Sequence, residues 1–215
     1  MTAARLPRSF YARSAHEVAA DLLGHVVVRA LPDGSRISAR IVEVEAYGPD
    51  DPASHAFRGP TQRNAVMFGP PGHLYVYFTY GMHHCMNAVT GGAGEGAAVL
   101  IRAAEPLEGV AAMAASRGRD RLHDLCSGPG RLSQALAVDR RDDGRDLVTG
   151  RDVWVEGGAR SEVVATGNRV GVHETSRPWR FWLEGNPFVS RGRPGPSRAK
   201  RPPTAKRTAR VRSTP

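Results

Sequence analysis

Lysine is nearly missing from this chain. Of 215 residues only Lys200 and Lys206 carry a side-chain amine, and both stand near the C-terminus. The long stretch before them offers no lysine for imine chemistry. Cysteine is as scarce: Cys85 and Cys126 cannot make a framework of bridges, which points to a reducing, cytoplasmic setting. No apolar run approaches the ~20 residues of a membrane span. The opening "MTAARLPRSFYARSAHE" has no apolar core of a secretion signal. Acid is missing from one region only. Residues 191–215 hold nine Arg or Lys and no Asp or Glu. The other 21 basic residues match the 21 acids, so residues 1–190 are formally neutral and the tail carries the net charge of +9. Such a tail suits a polyanion such as nucleic acid, and it is also the composition of a solvated extension. Pro, Arg, Ser and Lys dominate it, which predicts a disordered basic tail over 191–215 after one folded domain over 1–190.

What is present reads as helices and hairpins. "SAHEVAADLLG" predicts a helix, with Ser14 and Glu17 as a capping box and Gly24 as its stop. Pro32-Asp33-Gly34 predicts a hairpin between "HVVVRA" and "SARIVEVEAY". "HLYVYFTYGMHHCMNAVTG" predicts a second hairpin, turning near Tyr80-Gly81. "AAVLIRAAEP" predicts an interior strand. A helix is expected over "EPLEGVAAMAASRG" with Pro106 near its start, and another from about Ser127. "RDVWVEGG", "RVGVHE" and "RPWRFWLEG" read as later strands. Elements mix without regular alternation. The expected class is α+β: a single domain with a curved antiparallel or mixed sheet, flanking helices and a protruding hairpin.

"ARIVEVEAYG" at 39–48 asks for an explanation. In a strand Val42, Val44 and Ala46 share one face, and Ile41, Glu43, Glu45 and Tyr47 the other. Two carboxylates on a strand face read, by themselves, as solvated. Three features favour a site. Tyr47 follows on the same face. The long Gly- and Pro-rich loop after it supplies Asp50, Asp51 and His55. The second hairpin carries Tyr75, Tyr77 and Tyr80, which are either sheet cover or stacking platforms for a nucleobase. Tyr80, at the hairpin tip, either folds back on its own sheet or acts as a wedge between base pairs.

These blocks carry a resemblance. "IVEVEAYGPDDPASHAFRGPTQRNAVMFGPPGHLYVYFTYGMHHCMNAV" is similar to the alkyladenine DNA glycosylase family, the mammalian type of 3-methyladenine DNA glycosylase. The similarity continues through "FYARSAHEVAADLLG", "VLIRAAEPLEG", "LCSGPGRLSQAL", "RVGV" and "RFWLEGNPFVS", and covers roughly residues 9 to 190. It implies an enzyme that cuts the N-glycosidic bond of alkylated or deaminated purines in double-stranded DNA and leaves an abasic site. It implies Glu45 as general base, with Arg102 and the Val170 carbonyl holding the attacking water. Tyr47, His55 and Tyr77 would enclose the everted base, and Asn87 would clash with the amino group of normal guanine. Tyr80 would fill the gap in the duplex, and Met82, Thr61 and Arg63 would touch the DNA. The loop from Tyr47 to His55 is one residue shorter than the mammalian pattern. No cofactor and no metal are implied, and a monomer suffices for one pocket and one wedge. The "EAY" triplet favours Glu45 over Glu43 as base, with Glu43 making a structural ion pair or hydrogen bond. The missing lysine predicts a monofunctional enzyme.

Two rival classes remain on the residues alone. Glu43, Glu45, Asp50, Asp51 and His55 together suit the Mg²⁺ or Mn²⁺ of a nuclease. A non-catalytic protein that binds damaged DNA would keep the wedge and the tail but need no Glu45. "HHC" at 83–85 with "HDLC" at 123–126 matches no strong zinc spacing, and buried cysteines with surface histidines are the expected account. "SGPGRLSQAL" reads equally as a phosphate-gripping helix start or as ordinary capping.

Overall fold

A computed structural model of the chain describes residues 3–172 and 177–191. The expected tail lies outside the described residues apart from Arg191. A single helical turn, α1 (Arg8–Tyr11), leads into α2 (Ala15–Leu22). The capping box at the start of α2 forms as the sequence predicts. The Ser14 hydroxyl accepts from the Glu17 N–H, and the Glu17 carboxylate accepts from the Ser14 N–H at 3.2 Å. Ala15, Val18, Ala19 and Leu22 are buried, so the apolar stripe faces the sheet.

The strands β1 (Val26–Ala30) and β2 (Arg36–Tyr47) form the first hairpin, with Gly34 at φ 83° in its turn. β3 (Leu74–Thr79) and β4 (His83–Thr90) form the second. β5 (Ala97–Glu108) crosses the middle of the molecule. Then come α3 (Val110–Arg117), α4 (Leu122–Leu125), α5 (Pro129–Ala135), β6 (Val153–Glu156), β7 (Val164–Gly167) and β8 (Arg180–Leu183). The strands make one eight-stranded sheet in the order β3-β4-β5-β2-β1-β6, with β8 beside β2 and β7 beside β8. All of its pairings are antiparallel. β2 is long enough to serve two neighbours on one edge: Arg36 to Arg40 pair with β1, and Glu43 to Glu45 with β8.

Three expectations change. Pro106 lies in β5, not in a helix; β4 reaches only from Ala97 to Leu100, and on the β2 side Pro106 pairs with Ala39 beside a register shift, where a proline is tolerated. The helix begins after Gly109, whose φ of 70° and close approach to the Arg36 carbonyl leave no room for a side chain. The described part of "RVGVHE", Arg169 to Val172, is no strand: Val170 and Gly171 form a turn, and residues 173–176 lie outside the described residues.

The main core lies on one face of the sheet and includes Leu22, Val44, Ile101, Met113, Leu132 and Phe181. A second, small cluster forms on the other face from Ala56, Met67, Tyr75, Val89 and Ala98. The loop after β2 supplies Ala56 and Met67 and contains a 3-10 turn at Ala65–Phe68. That loop acts as a lid over the second face, so both faces of β2 are buried. The outer edge of β3 is closed in turn. The Leu74 N–H donates to the Arg145 carbonyl at 2.8 Å, the Val76 N–H to Asp143 at 2.8 Å, and the Val76 and Phe78 carbonyls accept from Arg140 and Arg63.

Candidate active site

The register of the strands builds the site. Tyr75 of β3 lies opposite Asn87 of β4, Asn87 opposite Leu100 of β5, Leu100 opposite Glu45 of β2, and Glu45 opposite Arg180 of β8. Residues directly opposed share a face. One row further, Tyr47 faces Ala98, and Ala98 faces Val89. The register between β2 and β5 shifts on either side of Glu43: Val44 pairs with Ile101 but Glu43 with Ala103. Arg102 is the extra residue of that bulge, and a bulge re-aims the side chain it releases. Its guanidinium crosses to β2, with Nε donating to Glu43 at 2.9 Å and a terminal nitrogen 3.3 Å from Glu45.

Both glutamates are fully buried. Glu45 Oε1 accepts from the Val170 N–H at 2.7 Å as well as facing Arg102, and Oε2 accepts from the Tyr47 hydroxyl at 2.8 Å. Two hydrogen-bond donors and the facing guanidinium therefore fix its plane. Glu43 is held differently: by Arg102, by Arg180 Nε at 2.7 Å and by the Ser190 N–H at 2.7 Å. Burial, opposed by Glu45 and Glu43, leaves the Arg102 guanidinium with a raised pKa, so it stays charged.

Beside Glu45 is a narrow cavity of about 60 Å³ lined by Tyr47, His55, Tyr75, Tyr77 and Asn87, with Ala53, Met67 and Ala98. His55 stands edge-on to Tyr77, 4.5 Å between ring centroids, and its Nδ1 is 3.0 Å from the Tyr75 hydroxyl. The shorter loop thus still brings His55 to the tyrosines. Burial pushes the Tyr75 hydroxyl up to about 12 and holds Tyr47 and Tyr77 well above their ordinary range, so all three keep their protons at neutral pH. Burial, then Arg63, lowers the His55 pKa. The Asn87 amide donates to the Tyr75 carbonyl at 3.0 Å, which fixes the side chain against the slot. A larger, open groove of about 550 Å³ between Phe10, Arg13, His25 and Arg160 contains none of these residues.

At the far end of the same hairpin Tyr80 is 86% exposed and Met82 69% exposed. Tyr80 and Gly81 both have positive φ, 52° and 66°, and the Met82 N–H donates to the Thr79 carbonyl at 3.2 Å. That is the two-residue primed turn that matches strand twist. Arg63 bonds the Phe78 carbonyl at 3.2 Å and lies 6.0 Å from the Tyr77 ring centre, at the border of the slot. Thr61 sits in a turn closed by Asn64, its hydroxyl donating to the Asn64 amide oxygen at 2.9 Å.

A carboxylate pinned beside an aromatic slot, on a sheet with an exposed hairpin tip, is matched by one family model, methylpurine-DNA glycosylase, over residues 9–187. The chain belongs to that family. It is a DNA glycosylase, a hydrolase of base excision repair. A relative from Carboxydothermus hydrogenoformans is 48% identical over 190 residues, covering 86% of this chain and 98% of its own. Relatives from Streptomyces avermitilis and Anaeromyxobacter dehalogenans are 51% and 52% identical, covering 86% and 91% of this chain and 90% of their own. All three are provisionally named 3-methyladenine DNA glycosylases.

Within the glycosylase, the carboxylates once grouped as a metal set part company. Asp51 is paired with Arg169, Asp50 with Arg177, and Glu43 with Arg102 and Arg180. No three His, Cys, Asp or Glu side chains converge as a metal site among the described residues. Cys85 and Cys126 are both buried. α5 begins at Pro129 after Gly128, with no side chain closing its start. No helix among the described residues is long and apolar enough to cross a membrane. The contact from Val170 to Glu45 is made by its N–H. Arg169 carries no signal as a site residue in the sequence, where Tyr75 stands only as a candidate stacking platform and Asp51 only as a candidate metal ligand. The signal for Tyr75 was the alternation with Tyr77. The pairing of Asp51 with Arg169 bridges 118 positions and has no spacing to read.

Proposed function

We propose that this glycosylase everts alkylated or deaminated purines from double-stranded DNA and hydrolyses their N-glycosidic bond with water activated by Glu45. The observation that carries the reading is Glu45 itself: a wholly buried carboxylate, oriented by two hydrogen-bond donors and the Arg102 guanidinium, whose neighbour Tyr47 walls the slot. The relatives' names point to 3-methyladenine-type lesions as substrate.

A base inside a duplex cannot be reached, so the nucleotide swings out, at a cost that is smallest for damaged or mispaired bases. Tyr80 fills the vacated stack. Tyr47 and Tyr77 offer flat π-faces, and a cationic alkylpurine gains further from cation–π attraction. As the bond to the base lengthens, its electron pair leaves with the base and positive charge grows on the sugar. Glu45 stabilises that charge and takes one proton from the attacking water, whose oxygen bonds to the sugar carbon. Arg102 and the Val170 carbonyl hold that water, while the Val170 N–H serves Glu45. Asn87 excludes guanine by meeting its exocyclic amino group. The folded part has no lysine, so the product is an intact strand with an abasic site, and one chain suffices.

The test is release of free base from lesion-bearing duplexes by wild type and Glu45→Gln, side by side, in excess chelator. Wild type is expected to work undiminished, and Glu45→Gln to bind but release no base. Loss of wild-type activity in chelator would favour a metal nuclease, and full turnover by Glu45→Gln would remove the carboxylate from the mechanism. Efficient β-elimination by pure protein, above the heat background, would contradict the monofunctional assignment.

A further inference from the structure

Arg169 does not line the slot, yet it touches what surrounds the proposed base. Its side chain is wholly buried, and so is that of Asp51. One terminal nitrogen donates to Asp51 and to the Ala46 carbonyl, the latter at 3.0 Å; the other donates to Asp51 at 3.0 Å. Ala46 is the residue between Glu45 and Tyr47. The guanidinium lies 4.6 Å from the Tyr47 ring centre and 5.6 Å from that of Trp179. Trp179 in turn accepts the Ala46 N–H at 2.8 Å on its carbonyl. The next residue along the chain, Val170, supplies the N–H that meets Glu45.

Burying two charges is costly unless the geometry is good, and an apolar pair often serves stability as well. An apolar pair cannot hold a ring, a strand carbonyl and a turn in fixed directions. A planar guanidinium does so, because it bonds through its edge and stacks through its face. Lysine has neither the planar fork nor the face.

We propose that Arg169, clamped by Asp51, is a positioning residue for the reaction: it sets the tilt of the Tyr47 ring and the place of the Val170 N–H, and through both it aims Glu45. The proposal rests on Glu45 being the base.

The experiment measures single-turnover release of methylpurines from duplex DNA treated with a methylating agent, using the full chain. The main variant is Arg169→Met/Asp51→Asn, which removes both charges and keeps an acceptor for the Ala53 N–H, now 3.0 Å from Asp51. Its rate is expected to fall about 100-fold, the scale of a small misplacement of a reacting group. Affinity for a duplex with an abasic site should change by less than about threefold, since no DNA contact is touched. Arg169→Lys keeps the charge without the fork and should lose about tenfold. In a Tyr47→Phe background the double substitution should cost under about tenfold, because part of what Arg169 positions is already gone. A folded double variant at the wild-type rate, or the same factor in both backgrounds, would overturn the proposal. If the double variant does not fold, Arg169→Lys decides: an unchanged melting point with an unchanged rate overturns it. Turnover by Glu45→Gln would instead fault the base assignment and leave this pair without its object.

Discussion

Two buried glutamates two residues apart share Arg102 and differ in their other partners. Glu43 is saturated by Arg180 and the Ser190 N–H, which serve the fold, and by Arg102, which it shares with Glu45. Glu45 is held by Tyr47, which lines the slot, by the Val170 N–H and by the shared Arg102. Glu43→Ala leaves the buried Arg102 short of an acceptor, and should cost about 3–5 kcal/mol in urea unfolding. Glu45→Gln keeps the shape, so its unfolding midpoint should move far less than that of Glu43→Ala while base release is lost. A Glu43→Ala chain with wild-type stability would contradict this division. His55 supplies a pH signature. Burial, then Arg63, disfavours its imidazolium in the folded chain. Below about pH 6.5 the unfolded chain takes up a proton that the folded chain refuses. The stability contributed by neutral His55 is thus intact above that value and falls as the pH drops towards the lower folded pKa. The loss in urea midpoint between pH 7.5 and 5.5 should be smaller in His55→Gln; an equal loss would remove His55 as the cause. The alternation of Glu43 and Glu45 was legible in the sequence, and their burial was not. Strand periodicity says which residues share a face, while only the lid loop decides whether that face meets water.

At the scale of the element, the hairpin of β3 and β4 carries a conflict between local stability and use. Its turn asks for two residues with positive φ, a demand that Asn-Gly meets and Tyr-Gly resists. Tyr80 holds φ 52° while its ring stands in solvent. Tyr80→Asn should therefore stabilise the protein by about 0.5–1 kcal/mol. The same change, like Tyr80→Ser, should weaken excision from duplex DNA more than from single strands. Equal loss on both substrates would argue against a wedge. Turn chemistry made both hairpins readable. The misread elements share a reason. Pro106 and "RVGV" depend on where neighbouring strands end, which is a tertiary matter. β7 is a four-residue strand whose existence rests on β8.

For the whole molecule the distribution of charge, a formally neutral 1–190 and a basic 191–215, sets a test of the tail. Removing residues 191–215 should raise KM and flatten the dependence of affinity on salt, since fewer counterions are released, while the rate at saturation stays the same. An unchanged salt slope would mean that the tail does not touch DNA. Which charge went where was legible from composition. The clamp of Asp51 by Arg169 was not, because it joins distant segments.

The closed rim of β3 has its own consequence. A hairpin that leaves Phe78, Tyr80 and Met82 exposed is also a surface on which chains could stack into fibrils. Arg63, Arg140 and Asp143 occupy the hydrogen-bonding positions that a stranger's strand would need. The apex can stay greasy because its flank is already spoken for, so concentrated stocks should remain dispersed without any DNA to shield them.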